Sequence, residues 1–164
     1  PYADYDFMST WCKEVENEYP DFNIVGEAWY PRGTASAWWQ RDSKMNESNS
    51  NLKTVCDFDL TFTCQKAFGD VCSSNEGSEA GLFKIYEVIA QDFLFPDPNN
   101  VLIFLDNHDL GRFMQKGESD LRRYKQAIAF LLTTRGIPQI YYGTEILMSG
   151  TKAEGDGVIR TDFP

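Results

Sequence analysis

The sequence of 164 residues holds a single histidine, His108, and only four cysteines, at positions 12, 56, 64 and 72. The cysteines form no C-x-x-C pair and share no Cys/His spacing, which argues against a zinc or dithiol centre. Buried thiols are the simpler reading, and a Cys64–Cys72 disulfide is the alternative for a secreted protein. Basic residues are few: 15 Lys and Arg stand against 25 Asp and Glu, for a net charge of −10 with no basic cluster. That balance argues against a nucleic-acid partner. An acidic surface fits a neutral ligand but chiefly serves solubility. No apolar run approaches the roughly 18 residues of a membrane span. Internal repeats and low-complexity tracts are also missing. No signal peptide is visible, but the chain opens in the middle of a pattern, so this says nothing of location.

What the sequence does have is apolar and aromatic content, 42% and 15% of residues, enough for a sizeable core. One stretch organises the rest. Val101 to Leu105 are five consecutive apolar residues behind the turn Pro96-Asp-Pro-Asn-Asn100, the pattern of a parallel strand buried on both faces. The run breaks into Asp106, Asn107, His108 and Asp109. Such a burst of polar and titratable groups at a strand end is expensive unless it faces a site. Phe22 to Gly26 repeats the design, ending in Glu27-Ala-Trp-Tyr30. Two strand-end carboxylates with aromatic neighbours suit sugar chemistry: one protonates a glycosidic oxygen while the other stabilises an oxocarbenium ion.

The remaining pattern is alternating. A helix is expected from Asp4 to Tyr19 with Phe7, Met8, Trp11, Cys12, Val15 and Tyr19 on one face, stopped by Pro20. Pro31-Arg-Gly33 leads into a short helix around Trp38 and Trp39, and residues 44–51 read as an exposed loop. A strand over Leu52–Phe58, a helix over about Leu60–Phe68 and a polar loop at Ser73–Ser78 follow. Ala80–Phe93 reads as a helix with Leu82, Tyr86, Ile89 and Phe93 on one stripe. Asp120–Thr134 reads as another, and Gln139–Tyr142 as the last strand, with Gly-rich loop beyond Met148. Strand ends near 27, 57, 108 and 142 are spaced like βα units of a (β/α)8 barrel, whose site lies at the carboxyl ends of its strands.

Val25-Gly-Glu-Ala-Trp29, Phe104-Leu-Asp-Asn-His-Asp109 and Gly136-Ile-Pro-Gln-Ile-Tyr-Tyr-Gly-Thr-Glu145 resemble, in order and spacing, signature regions of the α-amylase superfamily. Pro96–Asn100 and Gly155–Phe163 resemble most the neopullulanase and cyclomaltodextrinase branch, in the forms of Bacteroides-type starch-utilisation systems. The resemblance implies an α/β fold, a partial (β/α)8 TIM barrel. Residues 1–164 would be its C-terminal half, the last four strands with their helices, starting just after the strand that bears the nucleophilic aspartate. It implies a retaining hydrolase of α-1,4 links in starch, maltooligosaccharides, pullulan or cyclomaltodextrins, with this piece inactive alone. A transglycosidase or branching enzyme of the same fold, and a non-catalytic carbohydrate-binding relative, are the rival readings.

By the same resemblance Glu27 is the general acid/base, a job that calls for a partly desolvated position beside Trp29. Asp109 is the second carboxylate. His108 and Asn107 would hold sugar hydroxyls, Trp29 and Tyr30 would stack on glucose rings, and Arg160 and Asp162 fall on a loop close to the active site. Trp38 and Trp39 are either sugar platforms or packing. Asp106 is expected to be structural, Arg112 a salt-bridge residue and Asp57 a minor candidate for substrate contact. No organic cofactor is implied; structural calcium occurs in many amylases, but its main loop would lie upstream and no ligands or other metal site are assigned here. The partners implied are an α-glucan and the rest of the barrel, and the branch implies a periplasmic or otherwise exported protein.

Overall fold

The computed structural model describes residues 4–69, 80–114 and 121–164. It divides into two compact units, one of Pro1–Leu60, Glu87–Leu102 and Arg135–Ile137, the other of Thr61–Tyr86, Ile103–Thr134 and Pro138–Pro164. The strands are short, and each is extended at its carboxyl end by the polar or aromatic residues singled out above.

In the first unit, helix α1 (Tyr5–Glu18) starts where the Asp4 carboxylate accepts the Phe7 N–H at 2.8 Å, satisfying one of the unpaired amides of a first turn. Cys12 is its buried residue, whereas Phe7, Trp11 and Tyr19 are exposed; half of the apolar face expected of this helix is uncovered. Strand β1 (Val25–Gly26) pairs in parallel with β2 (Thr54–Val55), Val25 opposite Thr54 and Gly26 opposite Val55. The ladder continues through a parallel bridge between Cys56 and Leu102, with the Asp57 N–H donating to the Leu102 carbonyl at 2.9 Å. The Ile137 N–H in turn reaches the Val101 carbonyl at 2.8 Å. Strands therefore neighbour one another in chain order, the sign of βα units with short crossovers. Between the first two lies α2 (Gly33–Trp39), whose Gly33 N–H donates to the Asp59 carboxylate at 2.8 Å. Ala37, Leu52, Val55, Phe95, Val101 and Cys12 form the core here, each large apolar side chain contributing roughly 1.5–3 kcal/mol by its burial.

A polar girdle closes the amino ends of these strands. The Thr54 hydroxyl donates to Asn100 Oδ1 at 2.8 Å and accepts from Asn23 Nδ2 at 2.9 Å. Beside it, the buried Gln40 donates to the Lys53 and Asp97 carbonyls at 3.1 and 2.9 Å and accepts the Asp97 N–H at 3.0 Å. Three strand starts are thus held by side chains whose hydrogen-bonding capacity is largely used, as burial of such groups demands.

Strands β3 (Leu102–Phe104) and β4 (Ile137–Gln139) pair with each other. In the second unit, α3 (Phe58–Ala67) fastens the end of β3: Thr61 Oγ1 donates to the Phe104 carbonyl at 2.8 Å and Gln65 Nε2 to that of Leu105 at 3.0 Å. Helices α4 (Phe83–Ile89), α5 (Leu121–Thr133) and α6 (Asp156–Ile159) complete the elements. Ala127 and Leu131 of α5 are buried, and Phe130 meets Phe68 at 6.1 Å between ring centroids.

Several boundaries differ from expectation. Phe58 opens α3 rather than ending a strand, because Asp57 accepts the Leu60 N–H at 2.9 Å and starts the helix. The first strand is limited to Val25–Gly26. The last begins at Ile137, two residues early, and takes in Pro138, while Tyr141 and Tyr142 lie beyond it. The stripe Leu82, Tyr86, Ile89 and Phe93 is not the inner face: Tyr86 is 70% and Phe93 81% exposed, and Ile85 is the buried residue. Helix α4 stops at Ile89 and a separate 3-10 turn holds Asp92–Leu94, so helical spacing does not carry across. The tail after Met148 contains α6 as well as loop. Cys72, the Ser73–Ser78 loop and Asp120 lie outside the described residues.

Candidate active-site groups at the strand ends

Glu27 follows β1 directly and is exposed; the partial desolvation expected of it is not supplied here. It lines a cavity of about 340 Å³ together with Tyr5, Trp11, Tyr30 and Trp39. The Trp29 ring lies 4.3 Å from that of the buried Phe58, which leaves the indole partly exposed. Trp38 and Trp39 meet edge to face at 4.9 Å, and both lie close to the Tyr5 ring, at 5.1 and 5.3 Å, an aromatic packing cluster. After β2, the Cys56 thiol is pushed up to about 12 by burial, with the Glu27 and Asp57 charges adding to it. Burial thus favours the thiol over the thiolate that nucleophilic chemistry needs.

Asp57 is corrected from a substrate contact to a buried ion-pair residue. Its side chain is 1% exposed and meets Arg135 Nη1 at 2.9 Å. Arg135 also holds Asp92, donating from Nε at 2.9 and 3.0 Å and from Nη2 at 2.6 Å. The Phe95 ring lies 5.9 Å from its guanidinium carbon. Burial raises the Asp57 carboxyl above the usual range, an effect that Arg135 opposes.

In the second unit the turn after β3 sorts its polar residues by direction. Asp106 points inward, accepting the Phe113 N–H at 2.8 Å and the Thr144 hydroxyl at 3.3 Å, the structural place expected of it; burial pushes its carboxyl up. Asn107 is also buried, and its side-chain oxygen accepts the Asp109 and Leu110 N–H groups at 2.9 Å each. That Asx turn holds His108 outward and Asp109 half-exposed, with His108 Nε2 3.3 Å from Asp109 Oδ2. Asn107 therefore shapes the turn that presents the other two.

Arg112 is 1% exposed, and no carboxylate among the described residues forms an ion pair with it, a correction to the salt bridge expected. Nη1 donates to the Tyr142 carbonyl at 2.5 Å, and the guanidinium carbon lies 4.1 and 5.0 Å from the Tyr141 and Tyr142 ring centroids. Arg160 Nε donates to the His108 carbonyl at 2.7 Å and Nη2 to Asp109 Oδ1 at 2.5 Å. Asp162 is exposed on the same tail. Arg135 escapes sequence reasoning, and Arg160 is placed near the site without its partner, because their partners lie 43 to 78 and 51 residues away along the chain.

Comparison with known proteins matches residues 2–162 to the family described as alpha amylase, catalytic domain. The chain is 48% identical over 134 residues to a cyclomaltodextrin glucanotransferase of Paenibacillus macerans, covering 81% of this chain and 18% of that protein. It is 32% identical over 158 residues to the cyclomaltodextrin glucanotransferase of Bacillus licheniformis, covering 96% and 20%. Among solved structures, the α-amylase of Geobacillus thermoleovorans complexed with acarbose superposes with a TM-score of 0.76 at 27% identity, covering 92% of this chain and 32% of that one. The chain thus spans about a fifth of the curated relatives and a third of the solved amylase. The fold is part of a (β/α)8 barrel.

Proposed function

The chain belongs to the α-amylase catalytic-domain family, and on that footing we propose that it supplies the general acid/base and the second carboxylate of a retaining enzyme acting on α-1,4-glucans. The observation that carries this reading is the placement of Glu27 immediately after β1 and of His108 and Asp109 on the turn that follows β3. In a barrel, carboxyl-terminal strand ends are where chemistry is done.

The roles follow from what each group can do. Glu27 delivers its proton to the glycosidic oxygen as that oxygen's bond to the anomeric carbon breaks. A carboxylate from the upstream part of the barrel forms the new bond to the same carbon. Glu27 then takes a proton from the incoming acceptor, whose oxygen displaces the carboxylate. Asp109 lends negative charge to the oxocarbenium-like transition state and holds sugar hydroxyls, and His108, outward on the same turn, donates to a neighbouring hydroxyl. Trp29 and Tyr30 offer flat apolar faces to glucose rings.

Water as acceptor makes the protein a hydrolase of the neopullulanase type, and this is the first reading. The second, a transglycosidase, is favoured by one observation: the relatives cited above are named cyclomaltodextrin glucanotransferases. The product profile of the full-length protein on pullulan and on a cyclomaltodextrin separates them, run beside Glu27→Gln. Panose or maltose, lost in the variant, supports the hydrolase; cyclic or lengthened glucans from a linear substrate support transfer. Undiminished turnover by Glu27→Gln refutes the assignment of the acid, and starch binding with no product makes the protein a carbohydrate-binding relative.

A further inference from the structure

We propose that Arg160 is a positioning residue that aims the Asp109 carboxylate, rather than a group that itself holds sugar. The inference rests on the reading of Asp109 as the second carboxylate.

The geometry is that of a clamp across one peptide unit. Nε takes the carbonyl of His108 at 2.7 Å while Nη2 takes Oδ1 of Asp109 at 2.5 Å. One planar guanidinium thus fixes both the backbone just before Asp109 and the side chain that follows, and charge-assisted bonds of this kind carry geometric as well as energetic weight. The other face of Asp109 is left to His108 Nε2, 3.3 Å from Oδ2. Asn107, below the turn, holds the Asp109 amide. Main chain and carboxylate are therefore both fixed, and the Asp109 side chain has lost most of its rotamer freedom before any ligand arrives.

Arg160 is itself steered. Its Nη2 lies 3.0 Å from Asp156 Oδ2, one helical turn back, and Asp156 is also paired with Lys152. The Asp156 carboxyl is held below its usual range, first by the Lys152 hydrogen bond, and so keeps its charge opposite Arg160. The segment bearing these residues is anchored: Arg112 N–H donates to the Gly150 carbonyl at 2.9 Å, and a Cβ on Gly111 would lie 3.4 Å from the Lys152 nitrogen. A capping box between Thr151 and Glu154 fixes the turn that leads into α6. With Nε and Nη2 both engaged on protein acceptors, the guanidinium edge that faces Asp109 has little donor capacity left for sugar hydroxyls. Its side chain is nevertheless 40% exposed, beside 33% for Asp109, so substitution there is compatible with folding.

The test is a double-mutant cycle in the full-length protein: wild type, Arg160→Ala, Asp109→Asn and the pair, with kcat and KM measured on maltoheptaose. A misaimed carboxylate is expected to lower kcat by about 10- to 100-fold with KM within about twofold. The pair should be no worse than Asp109→Asn alone, since Arg160 has nothing left to aim. Arg160→Lys should recover only part of the loss, because one ammonium cannot span both acceptors. A rise in KM with kcat retained makes Arg160 a sugar ligand and overturns the proposal, as do losses that multiply in the pair. Full recovery by lysine also overturns it, reducing the role to charge alone. If the parent binds maltoheptaose without turning it over, the catalytic reading fails while the same cycle on affinity still decides whether Arg160 acts through Asp109. Neither turnover nor binding overturns both.

Discussion

Removing Arg135 should be among the most damaging single changes to stability in this chain, and the damage should fade in acid. Asp57, 1% exposed, has its Oδ2 2.9 Å from Arg135 Nη1. Arg135→Ala removes the guanidinium that faces this buried carboxylate, a loss that typically costs about 3–5 kcal/mol. Asp92 contributes little to this figure because its side chain is 20% exposed and water can replace the guanidinium. The sign with pH follows from the direction of the Asp57 shift. Its folded-state value lies above the ordinary one, so its contribution to stability is fully present below the ordinary carboxylate range and is lost as pH rises through the raised value. Without Arg135, which opposes the rise, the folded-state value moves further up and the loss at neutral pH deepens. As pH falls into the ordinary carboxylate range, the raised group takes up its proton in the folded state first, and the variant should regain much of the difference. Denaturant unfolding of the full-length protein at pH 7 and pH 4 measures both limbs, with Arg135→Met/Asp57→Asn as control, predicted to lose less than Arg135→Ala. A deficit under about 1 kcal/mol at pH 7, or one that stays constant to pH 4, would refute the reasoning.

Three further outcomes follow. The isolated 164-residue chain should show no turnover of an activated maltosyl substrate, because the proposed nucleophile is upstream; turnover abolished by Glu27→Gln would contradict this. Gly143 has φ +83° and a Cβ there would lie 2.1 Å from Met148 Sδ, so Gly143→Ala should lose about 1–2 kcal/mol or more in a denaturant titration, and no loss would mean the turn relaxes freely. Glu16 is held down to about 2, first by its hydrogen bond to Arg41 and then by that to Lys53. Its contribution is present above the ordinary carboxylate range and is lost as pH falls towards 2. Glu16→Gln should flatten the stability–pH curve over that interval, and an unchanged acid limb would remove Glu16 as its source.

Legibility in the sequence divides along the range of the interactions involved. The organising strand could be read because five apolar residues in a row admit few structures, and the turn of Pro98 sets its start. The helix at Gly33–Trp39 and that ending at Thr133 were legible from local pattern. The α4 stripe was not, because Leu82, Tyr86 and Phe93 sit on an exposed side while Ile85 alone is buried, and periodicity cannot tell which face has a partner. Strand limits failed for a related reason: β2 stops where Asp57 caps a helix, a choice made by one side chain. At the candidate site, Glu27 and Asp109 stood out as carboxylates at strand ends, and Asp106 could be separated from them by its place in the run. Asp57 looked alike in sequence but is buried by Arg135, 78 residues on, and the grip of Arg160 on Asp109 is likewise tertiary. Resemblance supplied roles for residues; it did not supply these pairings.

The girdle of Asn23, Gln40, Thr54, Asp97 and Asn100 has a consequence for how such a protein can change. It ties the strands at their starts, and in the first unit Glu27 follows the opposite end of β1. Register there is decided away from the residue proposed to act. The loop after Gly26 can be exchanged or lengthened without slipping a strand, since the pins that prevent slippage are elsewhere. Diversification libraries in this unit should therefore be dense after Gly26 and sparse around Gln40 and Thr54. Changes after Gly26 can then be explored while Gln40 and Thr54 serve as a fixed foundation.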